Sequence, residues 1–289
     1  MTVAAIVVHH RGYDTVGGTV RSLLDEGIPP ARLLVVDNSP DVDAPSRLDA
    51  ALGVDVRVLR VPNRGYGAAA NAGVEEIRRC CPEADAILIS THECRVEPGA
   101  VTALSAVLDG DGRVGLVGPI LVTGEWDVVW SAGGVLTPVL GIPRHTGHRL
   151  ARSELPDTTA RQCDWLDGAF VLYRAAALSH ERFDENFFMY MEEVDLHLRL
   201  ADRGWHVVCE PAAVVWQTSG GIPPYSLARN MQMLSARHGS LWSRIAATPW
   251  SVMRRAATGL RRGRADDVRE LMAGWRDGIL RRRHRDQPG

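Results

Sequence analysis

Residues 183 to 199 run Phe183-Asp184-Glu185-Asn186-Phe187-Phe188-Met189-Tyr190-Met191-Glu192-Glu193-Val194-Asp195-Leu196-His197-Leu198-Arg199, an aromatic and apolar strip that passes directly into three carboxylates within four residues. A helix opening at Glu192 is anchored through Val194, Leu196, Leu198 and Leu200. It places Glu192 and Asp195 one turn apart and sets Asp195 against Arg199 at i+4. The helix dipole favours negative charge in a first turn, and an aromatic wall beside it can tune a carboxyl's proton affinity for general-base work. The same residues also fit a plain capped, solvated helix start.

Upstream of the strip, short apolar runs alternate with helical stretches: Val3 to Val8, Thr15 to Glu26, Leu33 to Val36, Ser46 to Leu52, Val56 to Val61, Gly67 to Arg79 and Ala86 to Ser90. This is a βαβ rhythm, and in such sheets ligands gather at the carboxyl ends of the strands. Asp37, the Asn63 loop and the residues after Ser90 all emerge there, so three contact groups share one crevice. Asp37 can accept hydrogen bonds from a base or ribose, while Asn38-Ser39-Pro40 also reads as a turn. Arg64 and Gly65 stand in a glycine-rich entry to a helix, where backbone can approach a ligand and the helix start favours phosphate.

Four stretches in order, Val35-Val36-Asp37-Asn38-Ser39, Asn63-Arg64-Gly65-Tyr66-Gly67-Ala68-Ala69-Ala70-Asn71-Ala72-Gly73, Gly168-Ala169-Phe170 and the strip ending in Glu192-Glu193-Val194-Asp195-Leu196, resemble the motifs of family 2 inverting glycosyltransferases. Rhamnosyltransferase-like members look closest, and the likeness spans roughly residues 3 to 221. The family's Glu-Asp-x-Asp-Leu has Glu193 here in place of its first Asp.

The resemblance implies an α/β fold of GT-A type, a Rossmann-like mixed sheet flanked by helices. It implies a nucleotide-sugar donor, dTDP-deoxyhexose first and UDP- or GDP-sugars behind it, bordered by Asp37, Asn38, Asn63, Arg64, Gly65, Asn71, Thr91, Asp167 and Gly168. It also implies that a carboxylate takes the acceptor hydroxyl's proton as that oxygen attacks opposite the leaving diphosphate. We assign Glu193 as that base, with Glu192 and Asp195 as competitors.

Two positions depart from the pattern. After Ala86-Ile87-Leu88-Ile89-Ser90 the resemblance leads to an acidic motif that holds Mg²⁺ or Mn²⁺ on the diphosphate, and here the residues are Thr91-His92-Glu93-Cys94. Glu93 falls in register with the expected Asp, one methylene longer, and His92 adds a nitrogen better suited to Mn²⁺. His92 also reads as an ordinary loop residue, and Cys94 as an inert small side chain. Gln217 stands where relatives commonly have His. Without a metal, Arg64, Arg95, Arg199 or a helix N-terminus must neutralise the leaving diphosphate.

Between these motifs, Asp167 is placed to bond sugar hydroxyls, and Trp165 fits either a sugar-stacking wall or the core. Thr123 to Arg161, with Trp126, Trp130, Gly133-Gly134, Gly141, Pro143, Arg144, His145 and His148, reads as a mobile acceptor-side excursion. Its two histidines lack the further partners a metal site needs. Gly220-Gly221-Ile222-Pro223-Pro224-Tyr225 reads as a flexible lid or acceptor loop.

The 289 residues, 45% apolar with a formal net charge of −2, suit one catalytic domain with an appendage. No apolar run approaches the ~20 residues of a spanning helix, and the N-terminus reads as a buried strand, not a signal peptide. Five scattered cysteines give no disulfide framework and point to a reduced, cytoplasmic compartment.

Residues 250 to 289 hold 11 Arg against 5 acidic residues, a net of +6, so the rest of the chain carries −8. Apolar residues at helical spacing from Trp250 to Leu280 predict two basic amphipathic helices. They fall within an appendage of residues 222–289 behind a catalytic domain of residues 1–221. Such helices either lie on an anionic membrane at its inner face, or pack on the catalytic domain or a second subunit in a homodimer. The run Arg281-Arg282-Arg283-His284-Arg285 sits at a frayed terminus without an aromatic platform, so no nucleic-acid partner is expected.

Two function classes stand. One is an inverting transferase acting on a hydroxyl of a glycan, a lipid-linked glycan or a small natural product. The other is a non-catalytic nucleotide-sugar-binding or scaffolding relative with a degenerate metal motif, which would have no transfer for Glu193→Gln to abolish.

Overall fold

The computed structural model describes residues 1–286 apart from 139, 156–158 and 219–220. Its first half follows the βαβ rhythm: β1 (Val3–His9), α1 (Tyr13–Asp25), β2 (Leu33–Asp37), α2 (Ala44–Leu52), β3 (Arg57–Arg60), α3 (Tyr66–Cys80) and β4 (Ala86–Thr91). These four strands lie parallel in the order β3-β2-β1-β4.

The chain continues through β5 (Arg95–Val96), α4 (Ala100–Gly110), β6 (Val114–Thr123), β7 (Val128–Ser131), β8 (Gly134–Leu136), β9 (Pro143–His145), β10 (Arg161–Gln162), β11 (Phe170–Arg174), α5 (Glu192–Asp202) and β12 (His206–Trp216). β11 runs antiparallel to both β4 and β6, and β12 runs parallel to β6, so the sheet is mixed: β10-β12-β6-β11-β4-β1-β2-β3, with β5 on β12 and β7 on β6. Between Thr123 and Arg161 the described residues are not a shapeless loop. β7 extends the sheet beside β6, and β8 and β9 pair as a separate ribbon.

Alternation along the strands divides the core in two. Ile6, Val8, Leu34, Val36, Ile87 and Ile89 face α3 and α5, packing on Val74, Ile77, Leu196 and Leu200. Ala5, Val7, Leu33, Val35 and Leu88 face the other way, onto α1, α2 and α4 through Val20, Leu23, Leu48, Leu104 and Leu108. The carboxyl ends of the parallel strands are thereby held between two packed layers.

Three long helices follow β12, where two were expected: α6 (Pro224–His238), then α7 (Thr248–Arg261) after a π-helical turn at Ser243–Ala247, and α8 (Ala265–Ile279). α6 occupies much of what the Gly/Pro signal marked as a connection; Gly220 itself lies outside the described residues. Ala228, Val252, Ala256 and Leu271 make a small core among these helices.

The terminus is not frayed at His284. That ring is 3% exposed and stacks on Phe188 at 4.7 Å, while Arg285 lies over the Tyr225 ring. No described helix is long and apolar enough to cross a membrane.

Candidate active site

The strip before α5 concentrates unusual backbone conformations. Phe188, Tyr190 and Met191 have φ of 67°, 71° and 71°, a left-handed region costly for side-chain-bearing residues and tolerated only where the surroundings impose it. The surroundings do so from two sides. Asn230 of α6 brings its amide nitrogen within 3.1 Å of the carbonyl oxygens of Phe187, Met189 and Tyr190. The Tyr66 N–H at the start of α3 donates to the Phe188 carbonyl at 2.8 Å. Gly65, at φ 94°, makes this approach possible, since a β-carbon there would stand 1.9 Å from that oxygen.

The strip ends at Met191, from which α5 starts with Glu192, Glu193 and Asp195 in its first turn. Two buried groups fix the helix. His197 accepts the Leu166 N–H at Nδ1 and meets the Tyr173 hydroxyl through Nε2 at 2.7 Å. Asp195, fully buried, accepts from Arg199 at 2.9 Å, Arg237 at 2.7 Å and His238 at 2.8 Å. The Arg199 partnership has the predicted i+4 spacing. The solvated helix start does not describe Asp195, which ties α5 to α6 and does not line the cleft.

A cleft of about 480 Å³ opens above the carboxyl ends of β1, β2 and β4. Of the nucleotide-contact set, Asn38, Thr91, Asp167 and Gly168 line it, as do both metal candidates, His92 and Glu93, and the carboxylates Glu192 and Glu193. Gln217 and Trp165 also line it, with Trp165 only 4% exposed, so it is core and wall together.

The remaining members of the set stand back from the cleft. Asp37 is 2% exposed, bonded to His9 at 2.9 Å and to the Ser39 N–H at 3.0 Å. Burial alone would raise its pKa, but those bonds carry it below the usual value. Asn63 accepts the Gly65 N–H and faces Asn38, bracing the loop. Asn71 brackets the backbone of Phe183, donating to its carbonyl and accepting its N–H. Arg64 pairs with Glu185 at 2.8 Å and lines neighbouring hollows instead.

Several cleft residues carry contacts that the sequence did not specify. The Tyr66 hydroxyl donates to the Gly168 carbonyl at 2.7 Å, joining two motifs. Trp130 donates its indole N–H to Asp167 at 2.8 Å, and His145 packs between Trp130 and Trp165. Arg255 reaches the cleft from α7. Burial, with Arg254 and Arg144 nearby, lowers its pKa, so an anion would be welcome beside it. Arg95 and Arg199, named as stand-ins for a metal, are engaged elsewhere: Arg95 lies 5.4 Å over the Trp216 ring, and Arg199 contacts Asp195 and Glu181. Only the periodicity of the tail, with Arg between apolar positions, hinted at Arg255.

The cleft floor is strongly acidic. Glu192 is 3% exposed, its Oε2 lacks a hydrogen-bond partner among the described residues, and burial together with the Asp167 charge raises its pKa to about 7. Glu193 is more open to the cleft, and its proton affinity is raised further by burial, then by Glu192 and Asp167. Its Cβ lies 3.2 Å from where a β-carbon on residue 168 would stand, so Gly168 gives the carboxylate its room. Burial also raises Glu93.

His92 is kept neutral, with a pKa of about 4, by burial and then by His9 and His10. Its Nδ1 is shared between Thr15 at 3.0 Å and Glu93 at 3.4 Å. Among the described residues no group of three or more His, Cys, Asp and Glu is arranged to hold a metal ion, so an ion here would rest on Glu93 and His92 together with oxygens of the diphosphate.

A family model described as "Glycosyltransferase like family 2" matches residues 2–234. Sequences from two strains of Mycobacterium tuberculosis, each an N-acetylglucosaminyl-diphospho-decaprenol L-rhamnosyltransferase, are 29% identical over 238 residues, covering 74% of this chain and 77% of theirs. Among solved structures, GalNAc-T7 with UDP, GalNAc and Mn²⁺ has a TM-score of 0.61 at 14% identity; it covers all of this chain, which spans only 58% of its length. Mannosyltransferase PcManGT from Pyrobaculum calidifontis, in complex with GDP-Man and Mn²⁺, has a TM-score of 0.57 at 13% identity, covering 96% of this chain and 86% of its own. At such identities these structures speak for the fold, which is of GT-A type. The family match extends over most of the length, and the chain belongs to glycosyltransferase family 2 as a sugar-transferring enzyme.

Proposed function

We propose that this enzyme transfers a deoxyhexose, with inversion, from a dTDP-sugar to a hydroxyl of a lipid-linked glycan. The sugar and acceptor classes are taken from the rhamnosyltransferase relatives. The observation that carries the reading is the carboxylate of Glu193, set at the head of a clamped helix, open to the cleft and with raised proton affinity. A group of that kind takes the acceptor's proton as the oxygen–anomeric carbon bond forms and the bond to the diphosphate breaks, the electron pair leaving with the diphosphate. Glu192 is buried beside it and its proton affinity is raised as well, so the two carboxyls titrate as a pair that resists carrying two full charges, and Glu193 is the member that opens to the cleft where the acceptor arrives.

The diphosphate needs a positive partner. Both solved neighbours hold Mn²⁺ with their nucleotides. Glu93 and His92 are the protein groups that a divalent ion carried by the diphosphate would meet, and we assign to Arg255, which lines the same cleft, neutralisation of the leaving group's charge.

The test is Glu193→Gln, assayed with a dTDP-deoxyhexose and a polyprenyl-diphosphate-linked N-acetylhexosamine. Transfer is expected to fall by roughly two to four orders of magnitude while nucleotide binding is retained. Undiminished transfer would move the base to Glu192.

A further inference from the structure

The catalytic cleft leaves one conspicuous surface unused. Trp242 and Trp250 are 56% and 69% exposed, and Leu241, Ile245, Met253 and Leu260 are more than half exposed beside them. All six belong to the continuous helical stretch formed by the π-helical turn and α7 or lie just before it. Along α7 the exposed positions Trp250, Met253, Ala257 and Leu260 recur at i, i+3, i+7 and i+10, while Thr248, Val252 and Ala256 are buried on the opposite side. The helix is therefore already packed on the protein by one apolar face and presents a second.

Charge selects what covers the second face. Between Leu241 and Arg264 the chain has six Arg and no Asp or Glu. Arg254 and Arg261 directly follow Met253 and Leu260 of the exposed stripe. Of the six, Arg264 faces Asp267 at 3.9 Å. Tryptophan with aliphatic side chains, rimmed by arginines on a stretch free of acidic residues, is the composition that seats a helix at the boundary between anionic headgroups and acyl chains. A second copy of the same face would bring like charges, such as Arg254 and Arg261, toward their own counterparts.

We propose that the helical stretch from Leu241 to Arg262 docks this enzyme on an anionic lipid surface. The same helix connects that surface to the chemistry. Arg255, Ile222 and Leu227 line both the catalytic cleft and an adjoining groove bordered by Arg254, Arg262 and Leu271. The docked face therefore lies beside the mouth of the cleft. That this delivers a lipid-linked acceptor rests on the function proposed above; the docking itself does not.

Flotation of the full chain with vesicles tests the docking independently of catalysis. Vesicles of phosphatidylcholine with roughly one third phosphatidylglycerol should carry the protein up, pure phosphatidylcholine should not, and added salt should weaken the binding. The double variant Trp250→Ser, Met253→Ser should bind about tenfold more weakly or worse, with an unchanged melting temperature because both side chains point outward. No flotation with anionic vesicles, or flotation indifferent to the double variant, overturns the proposal. So does a dimer in light scattering that the double variant converts to monomer, which would give the face to a second copy. None of these outcomes touches the Glu193→Gln assay, so the two readings fail separately.

Discussion

At the scale of single residues, the site depends on carboxylates kept from water. Glu192 has a folded pKa of about 7, above the ordinary carboxyl value because of burial and then the Asp167 charge. Its protonated form is thus favoured by folding. Below the unfolded pKa the two states bind the same proton and stability is unaffected. As pH rises from there toward 7 the unfolded chain gives up its proton while the folded protein still holds one, and stability falls. The cost by pH 8 is on the order of 3 kcal/mol. Glu192→Gln should therefore melt higher than the parent at pH 8 and equally at pH 4.5, in paired thermal scans; parallel curves at both pH values would count against a buried, proton-holding Glu192. These carboxylates were legible in the sequence because their neighbours along the chain announce them. Arg255 was not, because it reaches the cleft only through the packing of α7.

At the scale of elements, the strip between β11 and α5 is held by a helix that sequence reading had assigned to an appendage. Asn230 shares two amide hydrogens among three carbonyl oxygens of residues in or next to left-handed conformations. Asn230→Leu should leave those carbonyls short of a donor, costing about 1–3 kcal/mol. Transfer should drop far more than that stability loss explains, while far-ultraviolet circular dichroism stays unchanged. Full activity in this variant would show that the strip keeps its shape unaided. The sequence revealed the parallel strands and their helices through apolar periodicity. It did not reveal α6, because the Gly and Pro residues before Tyr225 signal a connection and the pull of the buried strip carbonyls on Asn230 is a tertiary effect. Asn71, which its place in the glycine-rich motif suggests as a ligand contact, closes its amide on the backbone of Phe183, a pairing that local sequence does not announce.

At the scale of the whole molecule, an acidic cleft floor in a body carrying −8 meets a C-terminal region carrying +6. The donor, itself anionic, should therefore bind where the two regions adjoin. Melting temperatures measured with dTDP, UDP and GDP should rise for the preferred nucleotide, since a ligand bound only by the folded state stabilises it. That rise should survive excess chelator and shrink in Arg255→Gln. A rise that chelator abolishes would instead make Glu93 a metal ligand and relieve Arg255 of its assigned role.

Asn230, Arg229 and His284 carry a consequence for modularity. Arg229 donates to the carbonyl of Asn186, and His284 stacks on Phe188, so α6 and the terminal residues both rest on the motif strip. Catalytic motif and C-terminal helices are therefore not interchangeable cassettes. A chimera that borrows another protein's membrane-facing tail would need to keep α6 and the contacts around His284, or it would inherit an address while losing the shape of its active site.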